Sequence, residues 1–306
     1  MQMTMLQSPL NYTGGKFRLL PQILPLFPQD INTFVDLFCG GANVGINAQC
    51  ARVRFNDIDS NVIGILRAFK MMPKAEILHI IHETIEQYNL SMSSDKGYVF
   101  YNCNSKDGLA RYNKNHFLEL REHWNNIEER DFKYYVLLYI LVMYCFNNQI
   151  RFNKEGKFNL PVGKRDFNRR MQQKLEMFVD RIQSIECEFS NADFRLVDID
   201  LLDENDFVYA DPPYLIACAT YNEQGAWSEE HERALYAYLD ELDRRRIRFA
   251  LSNVLSSKGC TNTILKDWLE TNPQYVCHHL NYKYTNSNYH VKDRNAVSDE
   301  VLIKNY

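Results

Sequence analysis

A chain of 306 residues, 45% hydrophobic and 24% charged, has length enough for one large domain or two smaller ones with proper cores. Its eight cysteines are scattered singly, without a Cys-x-x-Cys pair or a His cluster at ligand spacing, so neither a zinc site nor a disulfide framework is indicated and a reducing cytoplasm is expected. The formal net charge of -4 argues mildly against a polyanionic partner, but local charge decides what a groove binds, and here it is uneven.

Met1 to Leu10 has neither an apolar core nor a basic start, so it does not read as a signal peptide. Asn11-Tyr12-Thr13-Gly14-Gly15-Lys16 opens the ordered part and leads into an amphipathic segment, Phe17 to Leu26, punctuated by Pro21 and Pro25. Gly-Gly-Lys invites a phosphate-loop reading, but the Walker spacing is absent and Phe17 stands where Ser or Thr would coordinate magnesium. A glycine turn presenting Lys16 to a small anion such as a carboxylate is the reading left.

Thr33 to Gly45 is an apolar strand that breaks into Gly40 and Gly41, with a helix expected from there to about Cys50. This is the strand, turn and helix start of a Rossmann-like half, without the Gly-x-Gly-x-x-Gly dinucleotide fingerprint. A second strand follows, Val53 to Asp59, ending in acid at the interval where such folds set a carboxylate on a ribose hydroxyl. Asp57 is the candidate for that role and Asp59 the candidate helix cap.

From Asn61 to about Ser190 apolar residues fall at helical spacing, including Ile77, Ile80, Ile81, Ile85, Phe117, Leu120 and Trp124. The apolar run Val136 to Phe146 is too short to span a bilayer and reads as a buried helix. After it, Lys154-Glu155-Gly156 between alternating aromatic and polar residues predicts a β-hairpin. Its cations, Arg151, Lys154, Lys157, Lys164 and Arg165, continue into Arg169, Arg170 and Lys174, opposed by Glu155 and Asp166. Arginines interleaved with Asn148, Gln149 and aromatics suit a surface that touches phosphates and reads base edges.

Phe207 to Ala210 is a short buried strand that must stop at Pro212 and Pro213, which leaves Asp211 and Tyr214 at the carboxyl end of a strand. A carboxylate and a proline carbonyl can accept both hydrogens of an exocyclic amine, while Tyr214 offers a face for its ring. The remainder alternates: helix 229–243, strand Ile247 to Ser252, helix 261–271, strand Tyr275 to His279, and a final pair around Tyr282 to Tyr289 and Glu300 to Lys304. The basic run Arg244 to Arg248 closes a helix that starts with Glu229, Glu230 and Glu232, so the helix dipole accounts for it. The expected architecture is an α/β Rossmann-like sheet made of 1–60 and 191–306, with 61–190 inserted as a helical domain carrying the hairpin.

Tyr12-Thr13-Gly14-Gly15-Lys16, Asp36-Leu37-Phe38-Cys39-Gly40-Gly41, Asn56-Asp57-Ile58, Phe158 to Arg165 and Asp211-Pro212-Pro213-Tyr214 occur in that order. Together they resemble the Dam-type DNA adenine-N6 methyltransferases, and most of all the T-even phage Dam enzymes, with Tyr221-Asn222, Trp227-Ser228-Glu229 and Ser252-Asn253-Val254 adding to the likeness. The resemblance implies a class I fold using S-adenosyl-L-methionine (AdoMet) to methylate adenine N6 in double-stranded DNA by base flipping. It carries Tyr12, Lys16, Asp36, Phe38, Gly40 and Asp57 to the cofactor, with Asp193 and Phe194 near its adenine. Asp211, Pro212, Pro213 and Tyr214 become the catalytic turn. Arg151 falls at a guanine-contacting position, and Pro161 and Arg165 match further recognition positions.

GATC is the expected target. Gln149, however, stands where the family carries an apolar residue against a thymine methyl, and Asn147 replaces a smaller one. The alternatives are another short GA-containing site, or a non-catalytic DNA-binding module that retains the fold. A cognate restriction endonuclease is a possible partner, and no membrane association is expected.

Overall fold

Strands buried on both faces read as short apolar runs, and the centre of the sheet is built from two of them. In β1 (Ile31–Asp36) and β4 (Phe207–Ala210), Phe34, Val35, Phe207, Val208 and Tyr209 are all fully buried. The computed structural model describes residues 5–12, 14–218, 227–257, 259–281 and 298–306. Tyr221, Asn222 and the element expected at Tyr282 to Tyr289 lie outside the described residues.

The chain divides into two units: Met1–Gly15, Gly40–Ile46 and Asp59–Ile185 form a helical unit, while Lys16–Cys39, Asn47–Ile58 and Glu186–Tyr306 form a sheet unit. The sheet unit holds the one-turn helices α1 (Leu20–Ile23) and α8 (Leu215–Cys218) and the strands β1, β2 (Cys50–Asn56), β3 (Glu186–Ser190), β4, β5 (Arg248–Ser257), β6 (Cys260–Thr261), β7 (Val276–Leu280) and β8 (Asp299–Lys304). Strand order is β3-β2-β1-β4-β5-β8-β7, with β6 on β5. The first five are parallel and β8 runs antiparallel to both neighbours, giving the mostly parallel Rossmann-like sheet that the sequence predicts. From β1 the chain winds one way through β2 and β3 and the other way through β4 and β5, so the order reverses at β1/β4. In open α/β sheets that reversal is where ligands bind.

One face of this centre packs Phe27, Phe34, Phe207 and Tyr209 ring against ring, with the Phe27 and Phe207 centroids 4.9 Å apart. Val35, Val208 and Leu251 belong instead to a core shared with helices α9 (Glu229–Arg244) and α10 (Thr263–Thr271), through Leu235, Leu239, Leu242 and Leu265. Ser228 caps α9 in a capping box with His231, acidic residues fill the first turn and Arg244 ends the last.

Two expectations fail here. The helix expected to run to Cys50 is a single 3-10 turn, Gly45–Asn47, because Gly40 and Ala42 adopt left-handed φ of 45° and 59° and Cys50 already starts β2. Glu186–Ser190, read as the tail of the inserted helices, is an edge strand beside β2.

The helical unit is built on α6 (Phe132–Tyr144), in which every residue from Val136 to Tyr144 is buried. Around it stand α2 (Ser60–Met71), α3 (Lys74–Gln87), α4 (Ser93–Phe100), α5 (Ala110–Asn125) and α7 (Arg169–Ser184). Gly64 lets Tyr135 lie across α2, since a Cβ there would meet the tyrosine ring at 2.1 Å. Lys70 Nζ donates to the carbonyls of Ile182 and Ile185 at the end of α7, and Gln183 Nε2 returns to those of Phe69 and Met72 at the end of α2. Each helix thus satisfies carbonyls that the other would leave open.

Candidate active site

The sheet unit gathers its polar groups at the carboxyl ends of β1, β2 and β4. Asp211 follows β4 directly, because the prolines after it cannot continue a ladder. Its Oδ1 accepts from Lys16 Nζ at 2.8 Å and from the Tyr214 hydroxyl at 3.3 Å, and Lys16 Nζ stands 4.8 Å from the centroid of the Tyr214 ring. The anion that the glycine turn presents Lys16 to is therefore the chain's own catalytic candidate. Lys16 is 3% exposed and Asp211 is 18% exposed. Burial raises the Asp211 pKa above the ordinary carboxylate value, and Lys16 and then Tyr214 pull it back.

Asp36 ends β1 and Asp57 follows β2, both buried. Both act on Cys39, whose thiol pKa is pushed well up by burial first, then by the charges of Asp57 and Asp36. Asn56, quoted in a motif but given no role by the sequence, organises this edge. Its Nδ2 donates to the carbonyls of Leu37 at 3.0 Å and Ala192 at 3.1 Å, while its Oδ1 accepts from Ser190 Oγ at 2.7 Å. One amide thereby ties the ends of three strands; an amide directly before a strand-end acid is the signal that could have drawn notice to it.

Asp193 caps a 3-10 turn, Phe194–Leu196, and is clasped by Arg195, which lowers its pKa. Phe194 is buried against Phe38, with ring centroids 5.4 Å apart, and both pack on Trp227 at 5.8 and 5.7 Å. The sheet edge thus offers two buried carboxylates and an aromatic wall, acceptors and a surface suited to a ligand with hydroxyls, positive charge and a flat ring.

In the helical unit the Tyr12 ring covers Gly40, where a Cβ would come within 2.7 Å of it. Asn11 Nδ2 donates to the Asn147 carbonyl, linking this turn to the segment after α6. That segment turns through left-handed Asn147 and Asn148, with φ of 58° and 53°. Asn148 is buried and its Nδ2 donates to the carbonyls of Val142 and Met143, so it closes the end of α6. Gln149 is half-buried, whereas Arg151, Pro161 and Arg165 are exposed.

The predicted hairpin is short, pairing Phe152 with Phe158. Asn125 holds it from outside by accepting from Phe158 N at 2.8 Å and donating to Phe158 O, and Arg121 donates to Leu160 O. Neither was foreseen, since nothing in local spacing links α5 to the hairpin. Arg151 Nε donates to Asn159 Oδ1 across it at 3.0 Å. The far end returns to α6 through Phe146 N to Pro161 O and Gly163 N to Tyr144 O, so close that a Cβ on Gly163 would fall 2.3 Å from the Cys145 carbonyl oxygen. Lys174 has a lowered pKa, from burial first and then from Arg170 and Arg165, which marks cations crowded together.

The chain matches the family of D12 class N6 adenine-specific DNA methyltransferases over residues 12–287. It is 39% identical over 308 residues to "Modification methylase StsI" of Streptococcus sanguinis, covering 98% of this chain and 43% of that protein. To "Type II methyltransferase M.FokI" of Planomicrobium okeanokoites it is 37% identical over 307 residues, again 98% of this chain and 43% of that protein. To a "DNA adenine methylase" of Vibrio cholerae it is 26% identical over 215 residues, 70% of this chain and 67% of that protein. The chain therefore spans less than half the length of the first two.

Proposed function

Because this chain belongs to the D12 class N6 adenine-specific DNA methyltransferases, we propose that it transfers a methyl group from AdoMet to adenine N6 in double-stranded DNA. The observation that carries the reading is Asp211 at the end of β4, with Lys16 and Tyr214 both on its Oδ1. Oδ2 and the Pro212 carbonyl are then the acceptors for the two N6 hydrogens, and Tyr214 receives the extruded ring. Flipping costs a few kcal/mol, which contacts from the hairpin and the basic face offset.

AdoMet, when bound, supplies a methyl on an already activated sulfonium carbon. Asp36 and Asp57 suit its ammonium group and ribose hydroxyls, with Asp57 on the ribose, and Phe38 and Phe194 suit its adenine. Lys16, Tyr12, Gly40 and Asp193 keep the cofactor role that the resemblance gives them.

Arg151, Pro161 and Arg165 are the proposed readers of the site, with Gln149 beside them. The T-even phage likeness favours GATC. The polar, half-buried Gln149 supports a second reading, another short GA-containing site. The names of the relatives, a modification methylase and a type II methyltransferase, support pairing with a restriction endonuclease.

The test uses radiolabelled AdoMet and duplex DNA, followed by N6-methyladenine mapping in cells expressing the chain. Asp211→Ala is expected to abolish transfer while leaving DNA binding largely intact, and near-normal turnover in that variant would refute the assignment.

A further inference from the structure

Glu232 lies in the first turn of α9 and is fully buried, yet among the described residues its carboxylate faces four neutral donors rather than a cation. Oε2 accepts from Trp227 Nε1 at 2.5 Å. Oε1 accepts from the Tyr236 hydroxyl at 2.5 Å and from Nδ2 of Asn253 and Asn262, each at 2.9 Å. A carboxylate taken wholly out of water is costly unless its lone pairs are satisfied, and apolar residues of similar volume would serve packing at least as well. What this group provides is direction.

Its donors come from the elements that frame the carboxyl edge of the sheet. Asn253 is on β5, whose Ala250 pairs with Tyr209 of β4, and Tyr209 and Ser252 are hydrogen-bonded at 2.7 Å. Asn262 caps α10 by accepting from Leu265 N. Trp227 is the most telling of them, because its ring is the surface against which Phe38 and Phe194 pack.

We propose that Glu232 is a positioning residue for the cofactor: by fixing the Trp227 indole it holds in place the Phe38–Phe194 wall that a flat ring lies against. This rests on the reading above, in which those two rings meet AdoMet. Glu232 itself touches no reactant.

The test compares AdoMet affinity by calorimetry and the Trp227 indole N–H resonance in the whole chain, in Glu232→Gln and in Trp227→Phe. Glutamine presents an amide donor where the carboxylate accepts, so at least one of the donors loses its partner. Trp227→Phe keeps an aromatic ring but deletes the anchoring N–H, which also identifies the indole resonance. Either variant is expected to weaken AdoMet binding about tenfold, with the double variant no weaker than the worse single, and Glu232→Gln is expected to shift the Trp227 resonance upfield.

If Glu232→Gln fails to fold, Trp227→Phe decides by the same affinity. Wild-type affinity in the folded variants would overturn this inference alone. Failure of the unaltered chain to bind AdoMet would overturn the functional reading and this inference with it.

Discussion

The pairing of Lys16 with Asp211 can be tested by a double-mutant cycle. At an effective dielectric of about 20, unit charges 2.8 Å apart attract by about 6 kcal/mol, and the desolvation of both groups cancels a large part of that. Breaking a buried pair from one side costs about 3–5 kcal/mol, and because Asp211 keeps 18% of its side chain exposed, about 2–3 kcal/mol is expected here. Lys16→Met strands the carboxylate, and Asp211→Asn removes the negative charge that faces the ammonium at 2.8 Å.

Each single substitution should therefore lower the melting temperature by about 3–5 °C for a chain of this length. Lys16→Met with Asp211→Asn removes both charges together and should lose about 1 kcal/mol or less, a coupling of about 3–5 kcal/mol. Urea and thermal melts of the four proteins supply the comparison. Penalties that simply add would show that the pair is not coupled and that the carboxylate is held by other means.

The same pair predicts pH dependence. Under the proposed mechanism methyl transfer needs Asp211 ionised, and its folded pKa is raised, so activity is expected to fall as pH drops through a limb above the ordinary carboxylate range. Lys16→Met removes the largest opposing influence and should move that limb further up; an unmoved limb in kcat against pH would refute this. Arg151→Ala is expected to relax discrimination at one base pair by about 1–3 kcal/mol, measured by competition among site variants, and equal loss at every position would reduce it to a phosphate contact. Gly163→Ala should destabilise by about 1–3 kcal/mol, because its Cβ would strike the Cys145 carbonyl 2.3 Å away, and unchanged stability with unchanged site selectivity would contradict the close approach.

Much of the sheet was readable because buried parallel strands announce themselves as apolar runs stopped by acid or proline. Thr33 to Asp36, Val53 to Asn56 and Phe207 to Ala210 all end where the candidate site begins. Asp59 was readable as a cap for a local reason, and its carboxylate does accept from Asn61 N at 2.9 Å. Glu186–Ser190 was not, since an edge strand with only half its surface covered has no apolar run to show. Nor was the missing helix before Cys50, where two left-handed residues override a helical-looking stretch.

The amide of Asn148 illustrates a different limit. Composition marks an amide beside arginines as a base reader, but only the backbone path shows that this one is taken up by the carbonyls of Val142 and Met143. Lys16 and Asp211, like Asn125 and Phe158, meet through the fold, and no local periodicity carries that information.

The position of β4 in the sheet has a consequence for how the molecule comes into being. Phe34 pairs with Phe207, so the inner margin of β1 lacks its neighbour until roughly 170 further residues have left the ribosome. Loop closure over such a span is slow, and until β4 arrives the margin of β1 opposite β2 stays open. The crevice at β1/β4 therefore cannot close until two thirds of the chain has been made, and nascent chains halted before Phe207 should display an open strand margin that chaperones can recognise.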